Sequence, residues 1–182
     1  MWIYFVIGLI LLIIVYFFLT YNSFVKLENK VNEAFATMDV YLKKRWDLIP
    51  NLVETVKGYA KHEKNTLERV ITLRSGNYDD MDSSKKINTN EKLTNGIRKI
   101  MALAENYPDL KASENFRDLS KQLTKVEDEI AQSRKYYNAV VRVFNNKVGM
   151  FPSNIVASIL GYQNKLMFEA SSAERENVQV QL

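Results

Sequence analysis

The chain begins with an apolar run that only a lipid environment accommodates readily. Trp2 to Leu19 contains eighteen residues without a charged side chain, and no charge appears before Lys26. A helix rises about 1.5 Å per residue, so this run and its uncharged flank cross a hydrocarbon core of roughly 30 Å. Lipid offers no hydrogen bonds to the backbone, and a helix pairs its polar groups internally. The run predicts a transmembrane helix and a lipid bilayer as partner.

Aromatic side chains with polar edges flank this run. Trp2 and Tyr4 lie at one end and Tyr16 lies near the other, close to Leu19, as expected for residues at headgroup level. A cleaved signal peptide is the alternative, but no basic segment precedes the run and no small residues follow it at cleavage spacing. We therefore expect residues 1–23 to form a retained anchor.

Basic residues follow the run more closely than they precede it. Lys26 and Lys30 come first, and Lys43, Lys44 and Arg45 lie farther on, whereas only the α-amino group precedes the run. Positive flanks tend to stay on the cytoplasmic side of a membrane. The bias predicts a single-pass protein with a short N-terminus outside and the rest of the chain in the cytoplasm.

Beyond the anchor, apolar residues recur in steps of three and four, which predicts amphipathic helices. With only 6 Gly and 3 Pro, the composition favours long helices. No helix buries its stripe alone, so we predict an all-α fold with an antiparallel, coiled-coil-like four-helix bundle over residues 24–170. The stripes are Phe24, Leu27, Val31, Ala34, Met38 and Leu42; Leu52, Val53, Val56, Tyr59, Ala60, Leu67, Val70 and Ile71; Leu93, Ile97, Ile100, Met101 and Ala104; and Phe116, Leu119, Leu123, Val126, Ile130, Ser133, Tyr137, Val140, Phe144 and Val148.

Proline and glycine predict where the first helices end. Pro50 lacks an N–H donor, which predicts a break at residues 48–50. Gly76 suits the left-handed conformation that closes a helix, so the second helix should end there. Residues 76–84 are polar and acidic and should form a solvated loop with a helix cap. The third helix should stop before Pro108.

The end of the chain is also marked by special residues. The fourth and longest helix should follow Ser113 as a cap and end at Gly149. A short C-terminal helix is then expected from Ser153 to about Leu160, closed by Gly161. Residues 171–182 lack a durable stripe, and we expect them to form a mobile tail.

The side chains available for chemistry are few. The chain has no cysteine and one histidine, His62, which excludes disulfides, thiolate sites and the paired Glu-x-x-His of di-iron bundles. His62 begins an H-E-x-x-H pattern without its second histidine, so a solvated histidine is favoured. The loop carboxylates at 79–82 lack calcium-loop spacing, and the acidic run 127–129 is expected on a solvated face. We predict no catalytic, cofactor-binding or metal site, no evident small-molecule substrate and no enzymatic activity.

The net charge of +4 is small and scattered along the chain. Nucleic-acid-binding proteins concentrate positive charge on one face, so no nucleic-acid partner is expected. Weak attraction to anionic lipid headgroups is compatible with this charge.

Polar side chains within or beside the stripes are candidates for structural roles. They are Asn51, Arg134, Asn138 and Asn145. A buried Asn or Arg can fix the register of packed helices at a cost in stability. We favour this register role over ligand binding for all of them.

Three segments together resemble the LemA family of bacterial membrane proteins. They are YNSFVKLENKVNEAFATMDVYLKKRWDLIPNLVETVKGYAKHEK (21–64), AENYPDLKASENF (104–116) and EDEIAQSRKYYNAVVRVFNNKVGMFPSNIVASILGYQNKLMFE (127–169). The resemblance implies an N-terminal anchor, a four-helix bundle with mostly up-and-down neighbours and a location in the bacterial envelope. It implies no established reaction.

These observations favour a membrane-anchored scaffold or adaptor that acts through homo-oligomeric contacts or contacts with other membrane proteins. A sensor that couples the membrane helix to a partner is the alternative, because a helix continuous with the span can transmit small shifts. An enzyme with an unrecognised site is a third possibility that no residue constellation supports.

Overall fold

The longest helix of the chain includes the apolar run and continues far beyond it. The structure is a computed structural model that describes residues 1–60 and 62–168, and no strand occurs among them. The helices are α1 (Trp2–Tyr59), α2 (Lys64–Leu73), α3 (Ser83–Ala104), α4 (Pro108–Ala112), α5 (Glu114–Gly149) and α6 (Ser153–Leu160), with a 3-10 turn at Tyr78–Asp80. The all-α prediction is confirmed. The tail expected at 171–182 lies outside the described residues.

The first part of α1 is suited to lipid. Every side chain from Met1 to Val15 is exposed, and α1 is the one helix in the described part of the chain that is long and apolar enough to cross a membrane. Trp2, Tyr4 and Leu19 are exposed and Tyr16 is half-buried. Burial begins at Thr20, which is 6% exposed.

The predicted break at Pro50 is wrong, because α1 continues to Tyr59. Proline leaves the carbonyl four residues earlier, that of Trp46, without its helical N–H donor. Arg74 Nε donates to this carbonyl oxygen over 3.0 Å instead. A donor from outside the helix therefore satisfies the group that proline orphans.

The second predicted helix, by contrast, is divided. α1 ends at Tyr59 and α2 begins at Lys64, although Ala60 and Leu67 on either side are both buried. Gly58 stands in the last turn of α1, and glycine costs about 1 kcal/mol in a helix relative to alanine. The break therefore falls beside this glycine rather than at the proline.

The predicted loop at 76–84 is also more structured than expected. Gly76 has a φ of 107° beyond the end of α2, but Tyr78 and Met81 are buried and the 3-10 turn lies between them. α3 begins at Ser83, where the Asp82 carboxylate accepts a hydrogen bond from Lys85 N over 2.7 Å. The predicted helix cap is confirmed, and Asp79, Asp80 and Asp82 are exposed as expected of a solvated loop, whereas the burial of Tyr78 and Met81 was not predicted.

The later boundaries follow the sequence closely. α3 ends at Ala104 before Pro108, α5 begins directly after Ser113 and ends at Gly149, and Gly161 closes α6 with a φ of 73°. Proline and glycine therefore predict these ends correctly, because these residues favour the conformations that close a helix.

The chain divides into two units, each with its own core. The first contains Met1–Ala36 and Lys135–Met167, and the second contains Thr37–Arg134 and Phe168. In the first, the Phe24 ring lies 6.1 Å from that of Phe144. The core of the second includes Met38, Leu42, Ile49, Leu52, Val53, Val56, Leu67, Val70, Ile100, Leu110, Leu123 and Ile130.

Candidate functional site

A fully buried arginine stands at the centre of the second unit. Arg45 on α1 is 1% exposed and is the largest of the fully buried side chains among the described residues. Its guanidinium donates to Glu127 Oε1 on α5 over 2.6 Å and to Thr94 Oγ1 on α3 over 2.7 Å. It also donates to the carbonyl oxygen of Asn90 over 2.9 Å and to Asn90 Oδ1. One side chain therefore joins three helices.

The surroundings of Arg45 explain why its charge is tolerated there. Removing a charge from water costs several kcal/mol unless a counter-charge and good hydrogen bonds compensate for it. Glu127 supplies the counter-charge with its side chain 33% exposed, and the planar guanidinium meets its acceptors in a fixed geometry. The expectation that residues 127–129 form a solvated face is wrong for Glu127.

Two donors of this cluster have no partner in the described part of the chain. They are Arg45 Nε and Asn90 Nδ2, which are both buried. A cavity of about 10 Å³ lies beside them, lined in part by Tyr78 and Thr89. This is close to the smallest space that can hold one water molecule.

A second polar cluster holds the 3-10 turn against α1. The Tyr78 hydroxyl donates to Asp39 Oδ1 over 2.6 Å, and Lys86 Nζ donates to Asp39 Oδ2 over 2.7 Å. Lys86 Nζ also lies 4.5 Å from the centre of the Tyr78 ring. Burial, followed by the hydrogen bond to the Asp39 carboxylate, raises the pKa of the Tyr78 phenol far above its ordinary value. This phenol is a fixed hydrogen-bond donor at neutral pH, not an acid–base group.

A groove lies between α3 and α5 next to the Arg45 cluster. Its volume is about 410 Å³, and Thr94 and Glu127 line it together with the buried Ile97, Leu123 and Ile130. Its other lining residues are Arg98, Met101, Ser120, Thr124, Asp128, Ala131 and Arg134. An apolar floor with charged residues around it is what an amphipathic helix needs from a docking surface.

A groove with a larger volume, about 710 Å³, lies between α2 and α3. Gly96 of α3 is buried there, and a Cβ atom at this position would stand 2.9 Å from Val70 Cγ2. The close approach of the two helices therefore requires glycine.

The four polar residues predicted to set helix register have different environments. Asn51 is exposed, so a buried amide is not found at that position. Arg134 is half-buried, with its guanidinium 5.2 Å from the Phe168 ring, and Asn138 is half-buried. Asn145 Nδ2 donates to the carbonyl oxygen of Lys165 over 2.9 Å, and Lys165 N donates to Asn145 Oδ1 over 2.8 Å. Asn145 thus pairs with the backbone that follows α6.

The described residues contain no group of three or more His, Asp or Glu side chains placed to hold a metal ion. His62 is exposed, as predicted. The arrangement of the Arg45 cluster connects helices, and the grooves offer surface for binding.

The Arg45 cluster was not predicted from the sequence, although the first apolar stripe contains a signal for it. The first apolar stripe reaches Met38 and Leu42, and its next positions in the same steps are Arg45 and Ile49. Both are buried. A charged residue at a stripe position indicates a buried ion pair, but its partners lie on other helices and were not identifiable from spacing.

Comparisons with known proteins identify the family. The LemA family model matches residues 34–182, which is most of the chain. The chain belongs to the LemA family. Protein LemA of Metamycoplasma hominis is 28% identical over 158 residues, an alignment that covers 86% of this chain and 72% of that protein.

The chain is also similar to magnetosome proteins. MamQ 1 and MamQ 2 of Paramagnetospirillum magneticum are each 21% identical over 179 residues, covering 84% of this chain and 66% of the relative. MamQ of Magnetospirillum gryphiswaldense is 20% identical with the same coverage. The chain therefore spans just under two thirds of the MamQ proteins that it matches.

Proposed function

We propose that this LemA-family chain is a non-enzymatic scaffold or adaptor, anchored in the bacterial cell membrane by the first part of α1. The observation that carries the proposal is the continuity of α1 from Trp2 to Tyr59. The same helix supplies an exposed apolar segment long enough to cross a bilayer and the buried Arg45 that joins α3 and α5. The names of the relatives mention no reaction, which is compatible with this role.

The helices beyond the span are proposed to form the antiparallel four-helix bundle expected from the apolar stripes. The groove between α3 and α5 is then the proposed contact surface, occupied by a helix of a second copy or of another membrane protein. Ile97, Leu123 and Ile130 supply its apolar floor, and helix-in-groove binding uses such surfaces. The register role proposed for Arg134, Asn138 and Asn145 belongs to the same structural framework.

Anchoring and orientation are tested together on the full chain. Because the chain has no cysteine, Lys135→Cys places one exposed thiol on α5. We expect the protein to stay with membranes after alkaline carbonate extraction and to react with a membrane-impermeant maleimide only after permeabilisation. Release by carbonate would contradict the anchor, and labelling of intact cells would contradict the cytoplasmic orientation alone.

A sensor is the second candidate, and the uninterrupted α1 favours it. A rigid helix that starts in lipid can transmit a small shift. Insertion of a flexible glycine linker after Ser23 should abolish a partner response if the protein is a sensor. An unchanged response would leave the scaffold as the better description.

A further inference from the structure

The order of contacts in the first unit shows which part of α5 lies beside the end of the span. Phe35 of α1 packs against Tyr137 of α5 with ring centres 5.8 Å apart, and Phe24 packs against Phe144 at 6.1 Å. The Lys147 ammonium donates to the Ser23 hydroxyl. The numbers rise on α5 as they fall on α1, so the two helices are antiparallel. α5 continues only to Gly149, two residues past Lys147, so the turn that follows α5 lies near the end of the anchor expected at residues 1–23.

An exposed apolar surface occurs at this level. It consists of Met150, Phe151, Ile155 and Ile159, with exposed fractions of 61%, 80%, 53% and 67%, and we call it the junction patch. Ile155 and Ile159 are four residues apart on α6 and therefore share a face. Of the other apolar residues of α6, Val156 and Ala157 are buried and Leu160 is half-buried. α6 thus has an apolar packed side and an exposed side on which Ile155 and Ile159 lie beside Asn154 and Ser158.

The turn and the residues after α6 hold the junction patch in place. The Ser153 hydroxyl donates to the carbonyl oxygen of Lys147 over 2.7 Å and to that of Met150 over 2.9 Å. Beyond α6, the Tyr162 ring stacks on Phe24 with ring centres 4.8 Å apart. Both ends of α6 are therefore fixed to the part of the first unit that directly follows the span.

Further contacts fix the segment behind α6. Lys165 Nζ forms an ion pair with Glu28 Oε1 at 2.9 Å, and the backbone of Lys165 pairs with the Asn145 side chain. The Tyr137 hydroxyl donates to the carbonyl oxygen of Leu166 over 3.0 Å. This segment cannot easily fold over the junction patch without breaking these bonds.

The part of the chain that carries the junction patch is basic. Residues 142–167 include Arg142, Lys147 and Lys165 and contain no Asp or Glu, although Glu28 of α1 pairs with Lys165. Basic residues near a membrane are attracted to anionic headgroups. Only the shape of the junction patch would select a protein partner for it. The adjacent span, by contrast, places a bilayer close to the patch. Apolar side chains flanked by basic residues are typical of helices that lie in the membrane interface.

We propose that the junction patch inserts into the interface of the same bilayer that holds the span, so that α6 forms a second membrane contact along its surface. The proposal rests on the proposed function because it requires the span to be inserted. The test requires a fluorophore other than tryptophan, because the native Trp2 and Trp46 would obscure the fluorescence of an introduced tryptophan.

The test uses the full chain in vesicles of phosphatidylcholine and phosphatidylglycerol that contain lipids with a nitroxide near the start of the acyl chain. Single-cysteine variants Phe151→Cys and Ile159→Cys carry an environment-sensitive fluorophore. Leu12→Cys reports on the span. Lys135→Cys is the water-exposed control. Tyr137, two residues away, packs on Phe35 of α1, and Phe35 lies about 22 Å along the helix from Thr20.

We expect the emission of the probes at positions 151 and 159 to shift to the blue and the nitroxide to quench most of their fluorescence. The fluorescence of the probe at position 135 should not be quenched. If position 12 is shielded from water but 151 and 159 behave like 135, the inference is overturned and the anchor stands. If position 12 also behaves like 135, the anchor fails and the second contact fails with it.

Discussion

Arg74 donates its Nε hydrogen to the backbone carbonyl oxygen of Trp46 over 3.0 Å, and its guanidinium lies 5.3 Å from the centre of the Trp46 ring. This carbonyl is the one that Pro50 deprives of a helical donor. A long-range side chain therefore allows α1 to continue through a proline and to reach Tyr59.

The role of Arg74 predicts a coupling with Pro50. Arg74→Met keeps the length of the side chain but leaves the Trp46 carbonyl without a donor, which should cost about 1–3 kcal/mol of unfolding free energy. Pro50→Ala restores a helical N–H, so Arg74→Met should cost less in that background. Chemical denaturation of all four proteins in detergent measures the coupling. Equal costs in the two backgrounds would show that Arg74 acts independently of the proline.

Loss of Arg45 should destabilise the second unit strongly. Arg45→Met leaves Glu127, Thr94 and Asn90 without their shared donor, and breaking a buried pair costs about 3–5 kcal/mol. Glu127→Gln should also be harmful, because it leaves the guanidinium without a counter-charge. The double variant should recover part of the loss. The same denaturation experiment provides the measurement.

The exposed pair Lys43–Asp47 is the matched control for Arg45. Its side chains are 40% and 52% exposed with a 2.7 Å separation of Nζ and Oδ1. Asp47→Asn should change the unfolding free energy by less than about 1 kcal/mol. A similar cost for both pairs would contradict the special role assigned to burial.

Replacement by alanine should have opposite effects on stability at Gly96, in the contact of α2 with α3, and at Gly58, in the last turn of α1. At Gly96 an added methyl group meets Val70 Cγ2 at 2.9 Å, and overpacking of this kind costs about 1–3 kcal/mol. At Gly58 nothing lies within 4 Å, so alanine should stabilise the helix by up to about 1 kcal/mol. Thermal unfolding should show a lower midpoint for Gly96→Ala and an unchanged or higher one for Gly58→Ala. Val70→Ala should rescue Gly96→Ala, and failure to do so would place the clash elsewhere.

The buried Tyr78 phenol predicts a loss of stability in alkali. Its pKa is raised in the folded state by burial and by the hydrogen bond to Asp39, so the unfolded chain releases this proton first as pH rises. The unfolding free energy should therefore fall above about pH 10. Burial also raises the pKa of Tyr137 and Tyr162, so Tyr78→Phe should reduce the slope without abolishing it. Parallel slopes for the two proteins would contradict the assignment.

Periodicity predicted the helical class and most of the buried faces correctly. The stripe residues Phe24, Val31, Ala34, Met38 and Leu42 are all buried. This success has a simple cause, since an amphipathic face must pack against something wherever its partner lies. Local end signals at Pro108, Gly149 and Gly161 were equally reliable.

Features that depend on distant partners were not predictable in this way. The continuation of α1 through Pro50 requires Arg74, and the burial of Arg45 requires Glu127 from a helix far along the chain. Asn145 was singled out from the sequence, but its partner, the backbone of Lys165, was not. The candidate site consists of such long-range pairs, so spacing alone suggested its members only where they fell on a stripe.

Photo-crosslinking in native membranes tests whether this LemA-family protein acts through contacts made by the groove between α3 and α5. A benzophenone amino acid replaces Thr124, which lines the groove between α3 and α5. The control carries the same benzophenone amino acid in place of the exposed neighbour Lys125. We expect a discrete adduct with a second copy or with another membrane protein from position 124 and none from position 125. No adduct at 124, with a monomeric chain in lipid nanodiscs, would contradict it.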